Sequence, residues 1–284
     1  MDTLQQTKSR IDNHEIKSEL DCLRTIVVNI SENCQLHCPM CPRGNGYPNQ
    51  EKYMNYFTAC KLRERLFDID FDGTVSISGM GEPTLNPSYK DIIKLLCSGG
   101  KYKVQLLTNG IKLSGDSIAD IIGYGAKIII SAHDETPLKV IDNLNKWMKI
   151  YKNDEIVMRN HTLTNTQFKI SNRAGSTKFF NSDSNNVENK CYYPFYKIVI
   201  DYDGSYLLCQ DDWKRLTKTN ACNLETMSIS DYFIKYCNLW KQCMVTTGRQ
   251  TNTKSFRELC AKCNTEGITM GGNMFEYFKK KYNC

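Results

Sequence analysis

The run Thr25-Ile26-Val27-Val28-Asn29-Ile30, followed by Cys34-Gln35-Leu36-His37-Cys38-Pro39-Met40-Cys41, decides how the rest of the chain is read. β-Branched residues make the first stretch a strand, and the second is a loop with three cysteines at C-x3-C-x2-C spacing. Thiolates are soft ligands that suit zinc or iron–sulfur clusters. Three of them on one loop can hold three corners of a four-iron cluster and leave the fourth iron open, as a catalytic centre requires. A zinc ion completed by Cys22 or His37 is the competing reading.

Outward from this loop, strands and helices alternate. Strands are predicted at Arg24–Ser31, Thr74–Ser78, Val104–Leu107, Lys127–Ser131 and from Ile156, with helices at Phe57–Phe67, Pro87–Leu96, Ser114–Gly123 and Pro137–Tyr151. That rhythm means βαβ units and a parallel sheet, whose active groups gather at the C-terminal ends of the strands. The cysteine loop, Gly79-Met80-Gly81-Glu82-Pro83, Thr108-Asn109-Gly110 and Ser131–Asp134 all fall there. About five or six units are too few for a closed eight-fold barrel, so an open, partial barrel is predicted.

Asn181 to Lys190 is polar and without apolar period, and reads as a linker. Beyond it, Cys191 and Cys209 flank a hairpin, Tyr196–Asp201 and Ser205–Leu208, turned at Asp203-Gly204. A helix near Ser230–Trp240 follows, and Phe256–Leu259 leads into Cys260-Ala261-Lys262-Cys263. Cys191, Cys209, Cys260 and Cys263 make a complete tetrahedral set, equally suited to zinc or to a fully ligated four-iron cluster. Cys222 and Cys243 are rival ligands. The expected divisions are a polar arm at 1–20, the barrel at 21–180, the linker at 181–190 and a small second unit at 191–284.

Fourteen cysteines without a secretory signal argue for metal or catalysis rather than a disulfide framework. No apolar run approaches the ~20 residues of a membrane span, so a cytoplasmic protein with no membrane partner is expected. The net charge of +6 is scattered, and Lys279-Lys280-Lys281 reads as a solvated helix end, not a nucleic-acid patch.

The cysteine loop with its preceding strand resembles the cluster motif of the radical S-adenosylmethionine (SAM) superfamily, and the Gly79–Pro83 segment resembles that family's GGEP motif. Met40 stands where the family usually has an aromatic residue. The resemblance implies a (β/α)6 partial barrel and a [4Fe-4S] cluster on Cys34, Cys38 and Cys41. The open iron of that cluster would chelate SAM and cleave it to a 5′-deoxyadenosyl radical. It further implies SAM contacts from Met40, Gly79, Gly81, Glu82 and Pro83, with Thr108, Asn109, Ser131 and Arg159 as further candidates.

The hairpin cysteine pair followed by a helix and C-x2-C resembles the twitch domain, a shortened SPASM domain. It implies an auxiliary [4Fe-4S] cluster on Cys191, Cys209, Cys260 and Cys263. Among twitch enzymes the chain is most similar to aminocyclitol dehydrogenases of the 2-deoxy-scyllo-inosamine type. The similarity rests on Ser171-Asn172-Arg173-Ala174-Gly175 and on His133 after the fourth strand. It makes Arg173 the candidate for holding the reacting hydroxyl and His133 a candidate base. The implied activity is oxidation of a secondary hydroxyl on a small sugar, polyol or aminocyclitol, with flavodoxin or ferredoxin as reductant. A peptide-modifying SPASM enzyme, a radical dehydratase or epimerase, and a non-catalytic zinc or iron–sulfur protein are the alternatives.

Overall fold

A computed structural model describes residues 14–152, 154–162, 171–177, 190–249, 253–265 and 272–284. Residues 1–13 of the expected arm and 181–189 of the expected linker lie outside these. Seven strands form one sheet in the order β5-β4-β3-β2-β1-β6-β7. They are β1 (Thr25–Val28), β2 (Thr74–Ile77), β3 (Lys103–Thr108), β4 (Lys127–Ala132), β5 (Ile156–Asn160), β6 (Lys197–Ile200) and β7 (Tyr206–Leu207). All neighbours pair in parallel except β6 and β7. Helices α1 (Tyr56–Asp68), α2 (Tyr89–Cys97), α3 (Gly115–Gly123) and α4 (Leu138–Met148) connect β1 to β5 in turn. This is the open, partial barrel that the alternation predicts.

Local chemistry fixes where these helices begin. Asn55 caps α1 through Thr58 N, and Ser114 forms a capping box with Ser117 at α3. Each such cap is worth about 1 kcal/mol. Packing does the larger work. Alternate strand residues, among them Ile26, Val75, Leu106, Ile130 and Ile198, join Leu62, Ile92, Ile118 and Leu144 of the helices in one buried core. Because side chains alternate across a sheet, the residues between them face the inside of the barrel. Several of those inner positions are polar, Ser76, Ser78, Gln105, Ser131, Arg159 and Lys197, and all of these but Ser76 are only partly buried. Others, Val27, Ile129 and Val199, are apolar and buried.

The hairpin does not stand apart as its own layer. Strand β6 pairs with the free edge of β1, Thr25 opposite Lys197 and Val28 opposite Ile200. A two-stranded hairpin is marginal in water, and β1 would otherwise present an unpaired edge. The predicted helix near Ser230–Trp240 is also broken. A widened turn at Tyr232–Tyr236 precedes α5 (Asn238–Thr246), and the two tyrosines stack, Tyr232 in turn resting on Tyr206 with ring centres 4.2 Å apart. Helices α6 (Lys254–Cys260) and α7 (Gly272–Lys281) complete the described chain. The lysine run does end α7, where Lys281 pairs with Glu19, which also takes a 2.9 Å bond from buried Lys241.

Candidate active site

The cysteine loop leaves β1 at its C-terminal end and is tied down by side chains that its spacing does not announce. Arg43, 4% exposed, donates to the carbonyls of Met80 (2.9 Å), Glu32 (2.8 Å) and Pro48 (2.9 Å). It thereby laces the loop to the Gly79–Pro83 segment. Asn29 accepts from Met80 N at 3.1 Å. A side chain at Gly81 would sit 2.1 Å from the Ser31 carbonyl oxygen and 2.7 Å from that of Asn33. Only glycine lets these two segments touch. Gly79 has φ +135°, and its missing Cβ would meet Asn29. Met40 is buried against Leu36 and Cys38, with Ile111 alongside.

Glu82 is 3% exposed and accepts four hydrogen bonds. The donors are Thr84 N (3.1 Å), Thr84 Oγ1 (2.6 Å), Thr108 Oγ1 (2.6 Å) and Asn109 N (2.8 Å). Burial nonetheless pushes its carboxyl above the usual range, against the pull of those donors. Thr108 and Asn109 thus brace Glu82, and Asn109 Nδ2 also lies 3.9 Å from Cys34 Sγ. Pro83 starts the short turn that sets these donors. The cysteine loop, the glutamate segment and the end of β3 form one knit surface.

Ser131 stands opposite Arg159 in the β4–β5 register. His133 follows β4, its ring centre 5.7 Å from that of His161. Burial holds His133 below its usual range, and the Arg173 charge adds to the shift. Burial takes His161 down to about 4, helped by His133, Arg159 and Arg173. Both rings are therefore neutral at pH 7. His133 Nδ1 is buried with no hydrogen-bond partner among the described residues.

The second cysteine set comes together. Cys191, Cys209, Cys260 and Cys263 line one small cavity of about 10 Å³, with Tyr193, Asp211, Trp240 and Arg249 among its walls. Neither Cys222 nor Cys243 lines it. Arg249, which sequence reading missed, donates to the carbonyls of Lys190 (2.9 Å), Cys263 and Thr265, so it joins the chain before Cys191 to the C-x2-C loop. Lys197 lies 3.9 Å over the Tyr193 ring and donates to Gln210 at 3.2 Å. Of the seven other cysteines, Cys22, Cys222 and Cys237 are buried, Cys60, Cys97 and Cys243 partly so, and Cys284 is exposed.

Arg173 reaches the wall of the second set and feels the charge of Cys41 in the first. It pairs with buried Asp211, two residues past Cys209, at 3.3 Å. Burial opposes its charge, but Asp211 and Cys41 more than offset this and raise its pKa. Its backbone is left-handed, φ 48°, as are Ala174 at 52° and Gly175 at 78°. Two non-glycine residues in that region cost about 1–3 kcal/mol each and persist only where neighbours enforce them. The neighbour here is Asn172, bonded to Lys262 O at 2.5 Å and to Asn264 Oδ1 at 2.7 Å. Nothing in the residue pattern announces this clamp, because its partners are 90 and 92 residues away.

The donor chemistry of both sets fits metal clusters. Burial lifts Cys34 to about 11 and Cys38, Cys191 and Cys260 to about 12, and takes Cys209 and Cys263 up as well. Thiols grouped this way shed their protons only to a cation. Among the described residues no three His, Cys, Asp or Glu side chains converge on a single ion.

The radical SAM superfamily model matches residues 28–169. The chain belongs to the radical SAM superfamily. That family carries a [4Fe-4S] cluster and uses SAM. Among solved structures, BtrN in complex with AdoMet and 2-DOIA is similar at 20% identity and a TM-score of 0.72, covering 86% of this chain and 93% of BtrN. BtrN in an open conformation aligns at 18% identity and a TM-score of 0.61, covering 86% and 96%. SuiB of Streptococcus suis, bound to its precursor peptide SuiA, aligns at 16% and 0.50, covering 98% and 77%. At such identities the likeness is one of fold. No curated protein sequence matches significantly. Among the described residues no helix is long and apolar enough to cross a membrane.

Proposed function

We propose that this radical SAM enzyme is a dehydrogenase that oxidises a secondary hydroxyl of a small sugar, polyol or aminocyclitol to a ketone. Cys34, Cys38 and Cys41 would hold the SAM-binding [4Fe-4S] cluster, and Cys191, Cys209, Cys260 and Cys263 an auxiliary [4Fe-4S] cluster. When bound, these groups supply a 5′-deoxyadenosyl radical that takes a carbon-bound hydrogen, and an acceptor for the electron left behind. The observation that carries the reading is Arg173, held by Asp211 beside the second cysteine set and within electrostatic reach of Cys41 in the first.

The chain's own groups suit that chemistry. Ser76, Ser78, Gln105 and Ser131 line the barrel with hydroxyl and amide groups that can bind a hydroxylated ring. The Arg173 guanidinium can orient the reacting hydroxyl, and neutral His133, with Nδ1 unpartnered among the described residues, can take its proton. Met40, Gly79, Gly81, Pro83 and the Glu82–Thr108–Asn109 cluster would shape the SAM site, with Ser131 and Arg159 at its inner edge. Flavodoxin or ferredoxin would supply the reducing electron, in the cytoplasm.

Anaerobic reconstitution tests the reading. About eight irons per chain support two clusters, and about four would remove the auxiliary one. Cys34→Ala should abolish 5′-deoxyadenosine, whereas Cys260→Ala should keep some cleavage and lose the ketone. Undiminished ketone from Cys260→Ala would refute the acceptor role.

A further inference from the structure

An open hollow of about 420 Å³ lies beside the second cysteine cavity and shares Ala174, Asp211 and Leu259 with its wall. Its lining includes Ala261 and Lys262, the two residues between Cys260 and Cys263. The hollow is therefore one residue layer from the thiols. Its rim carries exposed Lys214, Arg257 and Lys262 against a single exposed acid, Glu258. None of the three cations forms a salt bridge among the described residues. The two aspartates in its wall are buried and committed. Asp211 holds Arg173 and Thr265, and Asp212 accepts from Leu216 N, Thr217 N and Thr217 Oγ1.

We infer that this basic hollow is the docking surface for an acidic one-electron carrier protein, which removes the electron delivered to the second cysteine set. This rests on the dehydrogenase reading. Oxidising CH–OH to C=O releases two electrons and two protons. One electron and one proton leave together as the hydrogen atom that forms 5′-deoxyadenosine. The hydroxyl proton passes to a base, and the second electron reduces the auxiliary centre. An oxidised carrier must then accept that single electron, becoming reduced by one. Exposed cations above the thiols recruit such a carrier through its negative face, and the attraction falls with salt.

The test uses the reconstituted enzyme and oxidised flavodoxin, a strongly acidic carrier, with binding read from flavin fluorescence. In Lys214→Glu/Arg257→Glu the affinity should fall at least tenfold. Raising the salt should weaken wild-type binding and leave the variant's little changed. SAM cleavage driven by dithionite should be the same in both. Lys279→Glu/Lys280→Glu, a charge change of equal size on α7, should bind like wild type. Equal affinity in the rim variant, or an equal loss in the α7 variant, would overturn the docking surface. Displacement of flavodoxin by submillimolar inorganic phosphate would instead make the hollow a small-anion site and overturn it as well. Eight irons with an unaltered carrier affinity sinks only this inference; four irons removes both it and the dehydrogenase.

Discussion

The Arg215 guanidinium reaches Glu32, two residues before Cys34, while its Nε donates 2.8 Å to Asp201 at the end of β6. Both carboxylates are wholly buried, and Asn29 Nδ2 bridges them at 2.8 and 2.9 Å. Burial opposes the Arg215 charge, and Asp201 and Glu32 outweigh it, so its pKa lies above the ordinary value. Through this triad the hairpin that carries Cys209 is fastened to the loop that carries Cys34. Lys218 adds a second cation at 3.2 Å from Asp201.

Arg215→Met should therefore destabilise the folded protein by about 3 kcal/mol, the low end for a broken buried pair, because Glu32 keeps only Arg43 at 3.7 Å and Asp201 only Lys218 at 3.2 Å as cationic partners. Urea unfolding checks this, and Glu32→Gln in the same chain should recover part of the loss. A loss under about 1 kcal/mol would mean that the two halves are held by packing alone.

Gly81→Ala should abolish SAM binding, since its methyl would be driven into the Ser31 carbonyl oxygen at 2.1 Å. Gly46 makes the control. It has φ +93° with nothing within 4 Å of the missing Cβ, so Gly46→Ala should cost only about 1 kcal/mol of backbone strain. Equilibrium dialysis with labelled SAM reads both. Full binding by Gly81→Ala would show that the two segments can separate freely.

Glu82→Gln tests the buried carboxylate. An amide turns two donors toward groups that already donate, so at least one of the four bonds must break and face another donor. The expected cost is about 1–3 kcal/mol, with weakened SAM binding. Calorimetric binding measures it, and Thr108→Val should show a smaller loss.

The two site histidines should respond to the same neighbour. Arg173→Gln removes a positive neighbour of both, so each pKa should rise, His161 from about 4. The folded pKa of His161 is depressed, so its contribution to stability is complete above about 6.5 and fades as the pH falls toward 4. Relative to neutral pH, proton uptake by this ring in the unfolded chain costs the fold about 3 kcal/mol by pH 4. The chain has four histidines, which single variants assign in ring-carbon NMR titrations. An unmoved His161 midpoint in Arg173→Gln would place the arginine away from the ring.

Much of this was legible in the residues. β-Branched runs, capping residues and glycines recur at βαβ intervals, and the three cysteines after β1 mark where the site must be. These are local signals, because strand alternation, caps and turns depend on neighbours within a few positions. Spacing groups Cys191 and Cys209 with the C-x2-C loop, and in the folded chain all four cysteines line one cavity.

Other features follow only from the folded chain. Arg43, Arg249, Asn172 and Arg215 are ordinary polar residues in sequence, and each becomes a tie because folding brings a distant carbonyl or carboxylate to it. The same holds for β6. Its apolar run names it a strand, but only the vacant edge of β1 decides that it extends the barrel sheet instead of founding a separate layer. Sequence alone determined the elements and the soft ligands. Tertiary structure decided which of them face one cavity, since burial and long-range hydrogen bonding are properties of the assembled sheet and not of any window of residues.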